Sequence, residues 1–273
     1  MLLVCLTEYR ESFFENMISF LVADIVEIFY TVLLPFIRIS AMLLIAPVLS
    51  MDSVTVKIRI IIAIALTIAI YPVLDWPVVD PVSGDGLIEI FHQALLGIIM
   101  GLFLQVITAA FVVAGQTIST TMGLAMATLA DPNFGTVPVI GQLLTILGTL
   151  IFLSIGGHVI LIEMLLESFR LVPIGERLLL TEIYPELIAW SGTIFLGAVL
   201  IAIPILCVML LIQIGLGIVA RASPQLNIFA VGFPAMIIVG LFVLIFAMNG
   251  IGMRMQYLWN LGLNNIRSTI LGV

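Results

Sequence analysis

Few residues in this chain have types that could do chemistry, and they are scattered. His92 and His158 are its two histidines and sit on different apolar segments. A proton relay would need an intramembrane acid as partner, and the charge-free run that holds His92 supplies none. His158, after Gly156-Gly157, is expected to be a buried helix-end histidine bonded to backbone. Glu163, Glu167 and Arg170 fall at i, i+4 and i+7, one face of a helix. That spacing suits a solvated helix end with an internal salt bridge better than an ion site. Arg38 is a charge inside an apolar run. It either pairs within a helical bundle or lays its apolar stem along the helix so that the guanidinium reaches polar groups. Cys5 and Cys207 have no metal-ligand spacing and read as small apolar residues. No catalytic set, metal site, phosphate-binding loop or cofactor is expected.

Two punctuated segments are more informative. In Met122-Gly-Leu-Ala-Met-Ala-Thr-Leu-Ala-Asp-Pro-Asn-Phe-Gly-Thr-Val-Pro138, thioether and phenyl groups stand beside glycines. Non-helical backbone at membrane depth is tolerated where protein buries it or water lines it, and Met adapts to irregular surfaces. The segment reads either as a pore seal or as a plain exterior loop. In Arg221-Ala-Ser-Pro-Gln-Leu-Asn-Ile-Phe-Ala-Val-Gly-Phe-Pro234, the prolines lack amide donors and free the carbonyls of residues 220 and 230. Gln225 and Asn227 have amide groups to bond such carbonyls, in a capped turn or on a neighbouring chain. Gly97 and Gly101 share a helix face that another helix backbone can approach closely. Gly97, Gly101, Arg221, Pro224, Gln225, Asn227 and Pro234 are the candidate subunit-contact residues.

The elements that must position these residues are apolar helices. Hydrophobic residues make up 63% of the 273, charged residues only 9%, and the mean hydropathy is +1.34. A soluble domain is roughly 25% charged, so lipid or a large protein interface must cover this chain. The net charge of −7, from 16 acids and 9 bases, argues against nucleic acid. The amino-terminal run Met1–Leu6 has no preceding basic residue and is followed by Glu8, Glu11 and Glu15, so it is expected to be mature chain rather than a cleaved leader.

A crossing needs about 20 apolar residues. Candidates are 29–49, interrupted by Pro35 and Arg38, then 60–74, then an acidic loop at 75–89. The uncharged stretch 91–130 is divided near 115–126, and a single span is expected over 139–162. A polar connection at 173–185 precedes a hairpin over 187–253, split at Arg221, and a tail over 254–273. The pattern predicts an all-α, polytopic membrane-type fold of helical hairpins, with roughly six long apolar helices and no soluble domain. Lys57 and Arg59 favour a cytoplasmic first connection and an outside acidic loop. A small-molecule permease would want a polar site of broken helices near mid-membrane. The charge-free runs speak against one, and a membrane-embedded enzyme lacks paired His or Asp.

In order along nearly the whole chain, several short segments resemble the FliR family of flagellar biosynthetic proteins, subunits of the bacterial type III export gate. They are Pro35-Phe-Ile-Arg38, Ala46-Pro-Val-Leu-Ser50, Met122-Gly-Leu-Ala-Met-Ala-Thr with Asp131-Pro132, and Gly157-His158. Leu171-Val-Pro-Ile-Gly175, Ser223-Pro-Gln-Leu-Asn-Ile-Phe229 and Gly232-Phe-Pro234 complete the set. The Gly232-Phe233-Pro234 ending is more similar to the flagellar branch than to the injectisome counterpart. The resemblance implies a ring with FliP and FliQ, FlhB outside it, FlhA as a cytoplasmic entry ring, and unfolded subunits as cargo. It places the assembly in the inner membrane and flagellar basal body, much of it standing above the bilayer plane, and leaves energy to an associated ATPase and the proton motive force. Residues 1–186 would be FliP-like and 187–253 FliQ-like. The family's plug loop falls at 122–138, where Met122, Met126 and Phe134 would occlude the lumen. Gly123 and Gly135 would let that loop, with Asp131-Pro132, move.

Overall fold

In the computed structural model the residues described are 31–47, 54–73, 83–124, 139–175, 180–222 and 228–270. They form eight α-helices and no strand: α1 (Thr31–Ile45), α2 (Val56–Ile70, closed by a 3-10 turn), α3 (Gly84–Thr121), α4 (Val139–Ser154), α5 (Gly157–Leu171), α6 (Leu180–Ser191), α7 (Thr193–Ala222) and α8 (Ile228–Ile270). The all-α, membrane-type class without a soluble domain holds. The number of crossings differs from expectation. Three stretches are long and apolar enough to span a bilayer, 84–121, 184–222 and 234–269. A bent pair, α4 with α5, makes a fourth if it counts as one span. The runs expected at 29–49 and 60–74 yield α1 and α2, each about 22 Å long at 1.5 Å per residue and short of the ~30 Å hydrocarbon core.

Three boundaries move for identifiable reasons, and one holds. The division expected within 115–126 is found there, since the 38-residue α3 ends at Thr121, and within that helix the contact point is Gly115. A Cβ there would strike the backbone of Gly141 in α4 and come within 2.9 Å of the Ile140 carbonyl carbon. α3 also begins earlier, at Gly84, after Ser83 Oγ accepts the Gly86 amide at 3.1 Å. Asp85 and Glu89, assigned to the acidic loop, are therefore helical. The span expected over 139–162 is broken at Gly156, whose φ of +74° suits glycine, and α4 and α5 meet at 68°. The second hairpin arm does not stop at 253. α8 runs to Ile270, so most of the supposed tail is helix.

The described residues gather into two compact units, one within 1–101 and 165–178, the other within 102–164 and 179–273. In the first unit α1 lies on the first half of α3, with Leu34, Arg38 and Met42 forming its buried stripe. In the second, Phe111 and Phe152 enclose the Trp259 ring at centroid distances of 5.7 and 4.6 Å. Trp259 Nε1 donates to the Gly148 carbonyl at 2.8 Å, and Trp190 Nε1 donates to the Phe103 carbonyl at 2.9 Å. Both indoles thus bury their rings while satisfying their one donor.

Candidate assembly surface and channel loop

Arg38 resolves in favour of pairing. It is fully buried, and all three guanidinium nitrogens are engaged. Nε donates to Gln93 Oε1 at 2.6 Å, Nη1 to the Ser168 carbonyl at 2.9 Å and hydroxyl at 3.3 Å, and Nη2 to the Val172 carbonyl at 2.9 Å. The guanidinium also lies 4.2 Å from the centre of the Phe169 ring. Ser168 and Val172 lie at the carboxyl end of α5, where the helix dipole favours a cation; the Ser168 carbonyl also accepts the Val172 amide at 3.0 Å, while the Val172 carbonyl lies beyond the last helical residue. Arg38 therefore clamps the end of α5 onto α1. Gln93 Nε2 donates to Glu89 Oε1 at 2.5 Å, and His92 Nδ1 stands 3.8 Å from the same oxygen. The sequence reading missed Glu89 and Gln93 as partners. Their i, i+4 spacing was a visible signal once 83–90 is read as helix. A guanidinium this deeply buried is inaccessible to a solute, which weighs against a permease site here.

The other charged and polar candidates sit at the surface. His158 is exposed in the first turn of α5, not buried as expected. Glu163 pairs with Arg267 of α8 at 3.8 Å rather than with Arg170. Cys207 is a free, exposed thiol on α7; Cys5 lies outside the described residues.

Of the subunit-contact residues, Gly97 and Gly101 are corrected. Both are buried by the chain's own α1. A Cβ on Gly97 would strike the Arg38 carbonyl oxygen and lie 2.9 Å from Ala41 Cβ; one on Gly101 would lie 2.7 Å from Ile45 Cβ. The close approach that a small-residue pair permits is used inside the chain, so these positions are closed to a neighbour. Arg221 is exposed in the last turn of α7, where a cation opposes the negative helix end. Pro234 is exposed and lies inside α8. Pro224, Gln225 and Asn227 lie outside the described residues.

Of the plug residues, Met122 and Gly123 are described, and their surroundings differ from the expectation. Met122 is fully buried, its thioether against Gly240 of α8, so it packs inside the chain. Gly123 has φ +82°, with its amide bonded to the Thr120 carbonyl (3.1 Å) and that of Leu124 to Ser119 (3.0 Å). This double bond to the last carbonyls is the Schellman ending of α3. Gly123 is a fixed cap where a hinge was expected. Met126, Asp131, Pro132, Phe134 and Gly135 lie outside the described residues.

The largest uncovered feature is the pair of hairpin arms. In the most apolar 18-residue segment of α3, 67% of residues are buried, against 33% in that of 184–222 and 17% in that of 234–269. Phe195, Leu211, Ile214 and Ile218 on α7, and Phe242, Ile245 and Phe246 on α8, are exposed, Phe246 to 83%. Each such side chain gains about 1.5–3 kcal/mol when covered, and a bare apolar surface this long marks lipid or protein contact.

The sequence profile described as bacterial export proteins, family 1, matches residues 29–262. Flagellar biosynthetic protein FliR of Pectobacterium carotovorum is 35% identical over 211 residues, covering 77% of this chain and 81% of that protein. The FliR of Escherichia coli K12 is 35% identical over 208 residues (76% and 80%). That of Bacillus subtilis is 30% identical over 251 residues (90% and 97%). This chain belongs to the FliR family. As a FliR-family member it is an integral membrane component of the flagellar export apparatus, a role in protein transport and flagellum biogenesis that suits its apolar helices.

Proposed function

We propose that this FliR-family chain is one stave of the protein-conducting channel of the flagellar type III export gate, in the bacterial inner membrane. Its hairpin arms pack beside FliP and FliQ, FlhB lies outside the ring, FlhA forms the cytoplasmic entry, and unfolded flagellar subunits are the cargo. The chain performs no catalysis in this reading. The observation that supports it is the uncovered apolar surface of α7 and α8, which a chain in water would not leave bare and which neighbouring helices, with lipid, would cover. The amino-terminal region, 1–186, takes the FliP-like place and 187–253 the FliQ-like place. The loop from Met126 to Pro138 acts as a gasket, with Met126 and Phe134 occluding the lumen and Gly135 beside Asp131-Pro132 giving it freedom. Met122 and Gly123 anchor the base of that loop on α8 and α3.

Two measurements on one preparation test the reading. Co-expressed with FliP and FliQ, the chain should purify as a defined complex, and alone it should aggregate. Replacing 125–138 by a Gly/Ser linker should leave that complex intact and raise its ion conductance in planar bilayers. A monodisperse solitary chain that never co-purifies overturns the channel reading, and unchanged conductance in an assembled complex overturns the gasket.

A further inference from the structure

Pro204 lies within α7. It has no amide hydrogen, so the carbonyl four residues earlier, that of Leu200, loses its helical donor. In an apolar span an unsatisfied carbonyl is costly, and neighbouring side chains commonly make up for a proline. Here the replacement is a charged one. Arg254 Nη1, from α8, donates to the Leu200 oxygen at 2.5 Å. Arg254 is itself out of place, an arginine well inside the apolar stretch 234–269, where such a charge is rare and is matched with acceptors. Each anomaly therefore answers the other.

The flanking packing makes the pairing specific. Gly197, Ala198, Ile201, Ala202, Ile205 and Met209 are the buried side of α7 around the proline. A Cβ on Gly197 would meet Leu258 of α8 at 3.2 Å. Small residues bring the two arms close, and the guanidinium spans the remaining gap to the freed carbonyl.

We propose that Arg254 is a positioning residue that supplies in trans the donor Pro204 removes. The resulting latch holds α7 at the proline and ties it to α8. With the latch closed, the arms share one register; with it open, α7 hinges at Pro204 independently of α8. Because the bond is charge-assisted, it is stronger than a neutral one, and any acceptor that competes for Arg254 opens the hinge.

The test is a double-mutant cycle on the full chain co-expressed with its export partners, read by thermal midpoint of the purified complex and by amide exchange across 200–209. Arg254→Met should lower the midpoint and speed exchange at those amides. Pro204→Ala restores the backbone donor, so adding it to Arg254→Met should recover at least roughly half of the lost midpoint, a strongly non-additive result. Arg254→Lys, which keeps a donor, should fall between the parent and Arg254→Met. Should Arg254→Met fail to accumulate, recovery of complex by Pro204→Ala decides in favour and absence of recovery decides against. Additive losses, or an Arg254→Met chain with unchanged exchange, overturn the latch.

Discussion

Substitution of Arg38 separates a clamp from a snorkelling arginine. Arg38→Met keeps most of the volume and removes every donor. It takes a donor from the Val172 carbonyl and from Gln93 Oε1, leaves the Ser168 carbonyl only the Val172 amide, and leaves Glu89 without its opposite charge across Gln93. Removing one member of a buried charged network costs about 3–5 kcal/mol, a large share of the roughly 5–15 kcal/mol that holds a domain together. At about 2–4 °C per kcal/mol for a chain of this size class, the midpoint should fall by roughly 6–20 °C. Arg38→Lys keeps the charge but replaces a planar fork by a point donor. It cannot reach Gln93 and both carbonyls at once, and should lose about 1–3 kcal/mol. Glu89→Gln added to Arg38→Met should recover part of the deficit, because no uncompensated carboxylate is then left in the core. The assay is fluorescence-detected size-exclusion after a heating series, on a fluorescent fusion co-expressed with FliP and FliQ and solubilised in mild detergent. An Arg38→Lys chain that melts with the parent would refute the clamp, since a snorkelling side chain tolerates that exchange.

Two further outcomes follow from the packing. Gly97→Val should be more damaging than Gly217→Val in the same fluorescence assay, because a Cβ at Gly97 meets Arg38 and Ala41 while one at Gly217 meets open space; equal effects would show that α1 does not lie against α3. Trp259→Phe keeps an aromatic ring between Phe111 and Phe152 but removes the indole donor to the Gly148 carbonyl, which keeps its helical amide donor. Loss of that one bond should cost about 0.5–1.5 kcal/mol, and an unshifted melting curve would contradict the bond.

What the residues alone could determine is the solvent and the class. Sparse charge and long uncharged runs leave no means of facing water, and that argument needs no coordinates. The order of short segments such as Asp131-Pro132 and Gly232-Phe-Pro234 was sufficient to point to the export family. Where glycines cluster, the sequence placed the end of α3 within 115–126, where it falls, but not the role of each glycine. Gly115 is a contact, whereas Gly156 sits at a bend within an expected span, because glycine serves close approach and left-handed backbone equally well. Only packing at each site distinguishes the two.

Partner choice was likewise beyond reach of spacing. The Gly97 and Gly101 pair announces a neighbouring helix, and only the tertiary structure says that the neighbour is α1 of the same chain. Arg38 was visible as an anomaly, but Gln93, Ser168 and Val172 lie 55 or more residues away in the chain. The same holds for Arg254 and the carbonyl freed by Pro204, 54 residues apart. Burial of a polar group makes a partner obligatory, so sequence can register the need. Which distant atom meets it is set by how the helices cross, and that is a property of the fold.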